Sequence, residues 1–179
     1  KNKYRTTSHR LQGWDYSGDG YYFITMVCQN RVCNLGEIVD EKMILSDFGK
    51  IVNAEWVKSF DIRHELLLDS YIIMPNHLHA IVVLDTTNNS QNDDGSHDSH
   101  VETHGRASLQ SENQPFVRKP KSISSFIAGF KSMVNTKIDD YIDENNLPIP
   151  KYNRNNHFFQ PNYHHHIIRN EKSYQNISE

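Results

Sequence analysis

His77 and His79 are separated by a single residue and open the apolar, β-branched run Ala80-Ile81-Val82-Val83-Leu84. In a strand, side chains alternate between faces, so both imidazoles project from one face while Leu78 points the other way, into the core. Their Cα atoms then lie roughly 6.5–7 Å apart. From that spacing two imidazoles can converge on one cation. They do not complete a site, because even an open catalytic centre takes about three protein ligands. The same pattern fits two half-buried histidines that hydrogen-bond across a sheet, and spacing alone leaves both readings open.

The pair must be held by its neighbours. Leu66 to Met74 reads as a strand, joined to the histidine strand by a Pro75-Asn76 turn. Tyr21 to Cys28, rich in aromatic and branched residues, reads as the first long strand, and Gly36-Glu37-Ile38 as a short hairpin return. Ser46 suits an N-cap, and Phe48, Ile51, Val52, Trp56 and Phe60 follow helical spacing, so a helix is expected from about Asp47 to Ser59. The helical period returns from Ser122 to Ile142 and stops before Pro148 and Pro150. Phe158 to Ile168 is expected to run extended. A last helix then starts near Asn170, with Tyr174 and Ile177 on its apolar side.

A chain of 179 residues can bury one proper core, although only 36% of it is hydrophobic. Part of the length therefore lies outside that core. Thr86 to Gln114 is Asn-, Ser-, Asp-, Gln- and His-rich, which predicts a polar, disordered insertion at about 86–116 within a single domain. His97, His100 and His104 in this tract read as solvated side chains. No apolar run approaches the ~20 residues of a membrane helix, and the polar N-terminus is no signal peptide, so a cytoplasmic protein without a membrane partner is expected. Cys28 and Cys33 do not form a zinc-type pair and read as reduced thiols.

The net charge of −3 argues weakly against a nucleic-acid partner. Much of the acid is local, however: Asp93, Asp94, Asp98 and Glu102 in one tract, Asp139, Asp140, Asp143 and Glu144 in another. A basic face can be hidden by whole-chain charge. The candidates for such a face are Arg5 and Arg10, in an arm that also carries Trp14 and Tyr16, and Arg118, Lys119, Lys121 and Lys131 around the second helix. A segment tucked onto the sheet by its aromatics explains the arm at least as well, and an ordinary solvated helix face explains the second group equally well.

Three blocks taken together resemble a known family. They are Trp14-Asp15-Tyr16 with Tyr22-Phe23-Ile24-Thr25 and Arg31; Met74-Pro75-Asn76-His77-Leu78-His79; and Gln160 to Glu171. In this order they are similar to the REP-associated tyrosine transposases, single-tyrosine transposases of the HUH class. The middle block is that family's His-hydrophobic-His motif in its usual setting. Phe159, His164 and His165 depart from the family pattern, which often has Trp, an aromatic and an acid there.

The resemblance implies an α+β fold, a ferredoxin-like antiparallel sheet with helices packed on one face. It implies a transposase that cleaves and rejoins single-stranded DNA at hairpins. A divalent cation, Mg²⁺ or Mn²⁺, would be held by His77 and His79, and a tyrosine would form a 5′-phosphotyrosine intermediate. In the family that tyrosine follows the third block, on a helix whose polar side chain four residues later can supply a third ligand. Here it is expected just beyond Glu179, and the C-terminal catalytic helix reads as truncated. Tyr163 is the in-chain candidate, and Tyr141-Ile142-Asp143-Glu144-Asn145 mimics the spacing ahead of the third block. Relatives act as monomers or as homodimers, and both remain open. The rival reading is a non-catalytic hairpin DNA-binding protein of the same fold, with a water-using metal hydrolase ranked after it.

Overall fold

The computed structural model describes residues 17–89, 121–153 and 155–178. Arg5, Arg10, Trp14, Tyr16, His97, His100, His104, Arg118 and Lys119 lie outside the described residues. In chain order the elements are β1 (Gly20–Val27), β2 (Gly36–Val39), β3 (Lys42–Leu45), α1 (Asp47–Ile62), β4 (Leu66–Met74), β5 (His77–Leu84), α2 (Ile123–Glu144), β6 (His164–Ile168) and α3 (Glu171–Ser178). Four strands form one antiparallel sheet in the order β4-β5-β1-β6. With α1 and α2 as crossovers this is the ferredoxin-like α+β arrangement.

Alternation along the strands gives the sheet two unlike faces. Tyr22, Ile24 and Met26 of β1 and Leu78 and Val82 of β5 have no exposed surface. They pack in one core with Val52 and Trp56 of α1 and Phe126, Val134 and Ile138 of α2. Trp56 is the hub between the helices, its ring 5.2 Å from Phe60, 5.4 Å from Phe126 and 5.0 Å from Phe130. Offset and edge-on aromatic packing of this kind adds to simple area burial. Both long helices start where their caps place them. Ser46 Oγ accepts from Gly49 N at 3.0 Å, and Ser122 and Ser125 form a reciprocal capping box.

The other face carries Tyr21, Phe23, Thr25 and Val27 of β1 with His77 and His79 of β5, by the register of the pairing. It is not bare. Asn170 Oδ1 accepts from Ser173 N at 2.8 Å and caps α3. This short helix then lies on the histidine-bearing face, where the Tyr174 ring meets Tyr21 edge-on at 6.1 Å. The two long helices thus share one side, as expected, and the third is added on the opposite side.

Three details differ from what sequence patterns suggest. The return at Gly36 is half of a separate hairpin, β2 with β3, closed by Asp40 and Glu41 at φ 48° and 62°. A type I′ hairpin turn demands φ > 0 at both central residues and usually announces it with Asn-Gly, which this turn lacks. Helix α1 continues past Ser59 to Ile62. Thr86 to Asn89, at the start of the polar tract, form a 3-10 turn whose first residue donates N–H and Oγ1–H to Asp19 Oδ1, each at 2.8 Å.

The hairpin's root matters to the histidine strand. Leu35 N donates to Pro75 O at 2.9 Å, and Ser46 N donates to Leu35 O at 3.0 Å. Gly49 in α1 sits against that same carbonyl, so a Cβ there would meet Leu35 O at 2.0 Å. Gly49→Ala is therefore expected to destabilise the fold by about 1–3 kcal/mol through overpacking, measured as a lower urea midpoint with an unchanged m-value.

Candidate metal centre on the open sheet face

The histidines sit where β4 turns into β5. The turn is clamped from two sides: Cys28 N donates to Asn76 O at 2.8 Å, and Leu35 N to Pro75 O. β5 then begins at once, pairing His77 with Val27 and Met74, and His79 with Thr25 and Ile72. Both imidazoles are half-buried on the same face, with ring centroids 4.6 Å apart and planes at 74°. The structure therefore brings the two predicted ligands together.

Each ring has its Nδ1 engaged. Asn76 Oδ1 lies 2.6 Å from His77 Nδ1, while the other end of that carboxamide donates from Nδ2 to Arg31 O at 3.2 Å. Bonding to a carbonyl fixes which end of the amide is which, so His77 must donate from Nδ1 and keep its lone pair on Nε2. Thr25 Oγ1 lies 2.7 Å from His79 Nδ1, and Phe23 stacks on the His79 ring at 5.2 Å and 19°. Partners of this kind orient imidazole ligands and set their tautomers. Burial lowers both imidazole pKa values below the ordinary 6.5, and the neighbouring His77 charge lowers that of His79 further. Both rings are consequently neutral near pH 7, the state a metal requires.

The sequence motifs contain Asn76 and Thr25 but assign neither a role. Asn76 was legible as the residue before the first histidine, since a neighbour's short carboxamide can reach the ring. Thr25 was not, because its contact spans 54 residues and depends on strand register. Among the described residues no third His, Cys, Asp or Glu joins the pair.

The other candidates lie elsewhere. Tyr163 precedes β6 on the helix side of the sheet, its hydroxyl 3.2 Å from Ser124 Oγ in α2. The structure does not bring it to the histidines. Tyr141 donates to Asp47 Oδ2 at 2.8 Å, between the two long helices. Tyr174 does share the histidine face, yet its row on β1, at Tyr21, is four residues from Thr25, roughly 13 Å along the strand. Its hydroxyl donates to Asp69 Oδ2 at 2.9 Å. That bond, followed by burial, raises its pKa and disfavours a phenolate.

Of the basic candidates, Lys121 is exposed just before α2. Lys131 turns inward instead: Nζ donates to the carbonyls of Gln160 at 2.6 Å, Pro161 at 3.4 Å and Asn162 at 3.2 Å. Burial pushes its pKa down to about 8. In this position Lys131 braces a loop.

No family model matches the chain. An uncharacterized protein of Haemophilus influenzae is 30% identical over 179 residues, which cover 96% of this chain and 83% of the relative. The structure is similar to that of a REP-associated tyrosine transposase bound to a REP hairpin, with a TM-score of 0.49 at 16% identity over 94% of this chain and 68% of the other. It is also similar to a candidate transposase from Deinococcus radiodurans, with a TM-score of 0.42 at 15% identity over 94% of this chain and 92% of the other.

Two outcomes follow from the geometry. Because folding lowers the histidine pKa values, the unfolded chain binds these protons first as pH falls. Stability is thus full above about 6.5 and declines as pH drops from there through the depressed folded values. Urea midpoints measured between pH 7.5 and 5 should fall, and the double variant His77→Gln, His79→Gln should flatten that slope. Asn76→Ala should weaken Mn²⁺ binding by roughly 10–100-fold in titration calorimetry, while the far-ultraviolet dichroism of the fold stays unchanged.

Proposed function

The chain belongs to the same family as the uncharacterized Haemophilus influenzae protein, and we propose that it is a transposase-type enzyme that cuts and rejoins single-stranded DNA at hairpins. The observation that carries this reading is the pair of neutral imidazoles, both oriented through Nδ1 on the open face of the sheet. The resemblance of the Met74-to-His79 block to the HUH motif supports it.

The donor set fits a divalent cation: two half-buried imidazoles on one face, with the Nε2 lone pair of His77 left to a ligand by the tautomer that the Asn76 bond imposes. Mn²⁺ accepts such nitrogen and oxygen donors, whereas Mg²⁺ favours oxygen, so moderate affinity is expected from two histidines alone. A cation held by His77 and His79 would supply charge neutralisation to a bound phosphate. The protein's own share is positioning. Asn76 and Thr25 hold the rings, and the turn clamped by Cys28 and Leu35 holds the strand.

In this reading a tyrosine oxygen attacks the phosphorus, a P–O bond to the 3′ oxygen breaks, and the DNA leaves with a 3′ hydroxyl. The 5′-phosphotyrosine conserves the bond for later attack by a DNA hydroxyl. We place the nucleophile beyond Glu179, in the continuation of α3, rather than at Tyr163. The presence of α3 on the histidine face supports this placement. Arg5, Arg10, Arg118, Lys119 and Lys121 remain the proposed phosphate contacts, and Lys131 is reassigned to bracing the loop. Hairpin DNA is the proposed partner, with monomer and homodimer both compatible.

The test is a denaturing gel of protein incubated with labelled hairpin DNA and Mn²⁺, comparing this chain with one extended past Glu179. An adduct that survives denaturation supports the transposase. Hairpin binding without an adduct from either form favours the non-catalytic binder, and cleavage without an adduct favours hydrolysis. His77→Ala and His79→Ala should each lower cleavage by at least about 100-fold while leaving hairpin affinity within about threefold, since phosphate contacts dominate affinity. Unchanged cleavage in both variants would overturn the metal assignment.

A further inference from the structure

Strand β6 carries three consecutive histidines, and its pairing with β1 sorts them by face. His164 stands opposite Thr25 and His166 opposite Phe23, so both emerge on the face that bears His77 and His79. His165 stands opposite the buried Ile24 and points to the helix side, its ring 5.5 Å from that of Tyr163. The open face therefore carries a second His-x-His pair, separated from the first by β1.

The two pairs share a spacing and differ in setting. Residues two apart in a strand have Cα atoms roughly 6.5–7 Å apart. At that spacing, in this same sheet, the rings of His77 and His79 come to 4.6 Å between centroids. Strand β5 is interior and its imidazoles are half-buried, whereas β6 is an edge and His164 and His166 are exposed. The strands β5 and β6 stand roughly 9.5–10 Å apart, two interstrand spacings. Thr25, in the row between His79 and His164, is engaged with His79 Nδ1 at 2.7 Å.

The second pair also borders α3. Ser173 Oγ lies 3.5 Å from His166 Nε2, a long contact that a stronger partner for the nitrogen replaces at little cost. Among the described residues no third His, Cys, Asp or Glu joins this pair either. Its chemistry is therefore that of two imidazoles and water.

We propose that His164 and His166 form a second cation site, open and exchangeable, for a late first-row ion such as Zn²⁺, Ni²⁺ or Cu²⁺. The donors decide the class. Imidazole nitrogen suits these ions, whereas Mg²⁺ and Mn²⁺ favour carboxylate, carbonyl and water oxygen. For Zn²⁺ the two rings supply half of a tetrahedral shell, with bonds of ~2.0–2.1 Å, and water completes it. Such a site needs only the strand register and the exposure of the two rings, and it stands whether or not this chain cuts DNA.

The experiment uses the whole protein and Zn²⁺ alone as the probe. The variant His77→Gln, His79→Gln removes the first pair and should still bind Zn²⁺ in titration calorimetry. Adding His164→Gln and His166→Gln should weaken that binding by at least about tenfold, since losing even an outer-shell partner of a metal ligand costs ~10–100-fold. The location is read on the wild type, without any substitution, by acylation with diethyl pyrocarbonate followed by peptide mass spectrometry. Zn²⁺ should slow the modification of His164 and His166 and leave that of the exposed His64 unchanged. Mn²⁺ at the same concentration should protect neither member of the β6 pair.

Loss of all Zn²⁺ binding with the first pair would overturn the site. So would binding that survives removal of the β6 histidines, or acylation of His164 and His166 that Zn²⁺ does not slow. Equal protection by Mn²⁺ would overturn the assignment to late first-row ions.

Discussion

The backbone of the Pro75–Asn76 turn is held from two directions, by Cys28 N on Asn76 O and by Leu35 N on Pro75 O. Much of the site depends on this constraint. It sets the point at which β5 begins, and with it the face on which His77 and His79 emerge. It also ties the turn to the root of the β2–β3 hairpin and, through Gly49, to α1. A turn on a free loop would leave the two imidazoles to wander. Here their strand is an interior one, paired on both sides by β1 and β4.

The Asn76 side chain extends the constraint from backbone to chemistry. A carboxamide offers an acceptor and a donor on opposite corners of a rigid plane, so satisfying both ends determines the position of each partner. His77 obtains a defined tautomer, and Arg31 obtains a stabilising bond in a conformation that non-glycine residues seldom adopt. Lys131 does the complementary work on the Gln160-Pro161-Asn162 loop. Its ammonium is costly to bury, and three carbonyls offset that cost by accepting from it. This cation of the second helix turns inward to hold the Gln160-Pro161-Asn162 loop.

The two faces of the sheet divide stability from function. On the helix side, aromatic packing around Trp56 supplies the cohesion, and Tyr163 is drawn into that layer by Ser124. Among the described residues α3 is the element laid on the opposite side, and the imidazoles there are half-buried. That intermediate burial has a chemical consequence. It is enough to keep both rings neutral near pH 7, and not so much as to seal them from a ligand.

How much of this could be read from residues alone follows the range of the forces involved. The alternation that puts His77 and His79 on one face is a property of the strand backbone and needs no partner. The helix cap at Ser46 is likewise local, as is the apolar stripe from Phe126 to Ile142. All of these were legible. The hairpin at Asp40 and Glu41 was not, since its residues do not advertise the φ > 0 that the turn imposes on them. Strand register, the meeting of Thr25 with His79, the inward turn of Lys131 and the side of the sheet taken by Tyr163 were decided only by tertiary packing. Covalent geometry dictates where a side chain points relative to its neighbours in sequence. Which distant group it meets depends on how the hydrophobic faces of separate elements bury one another.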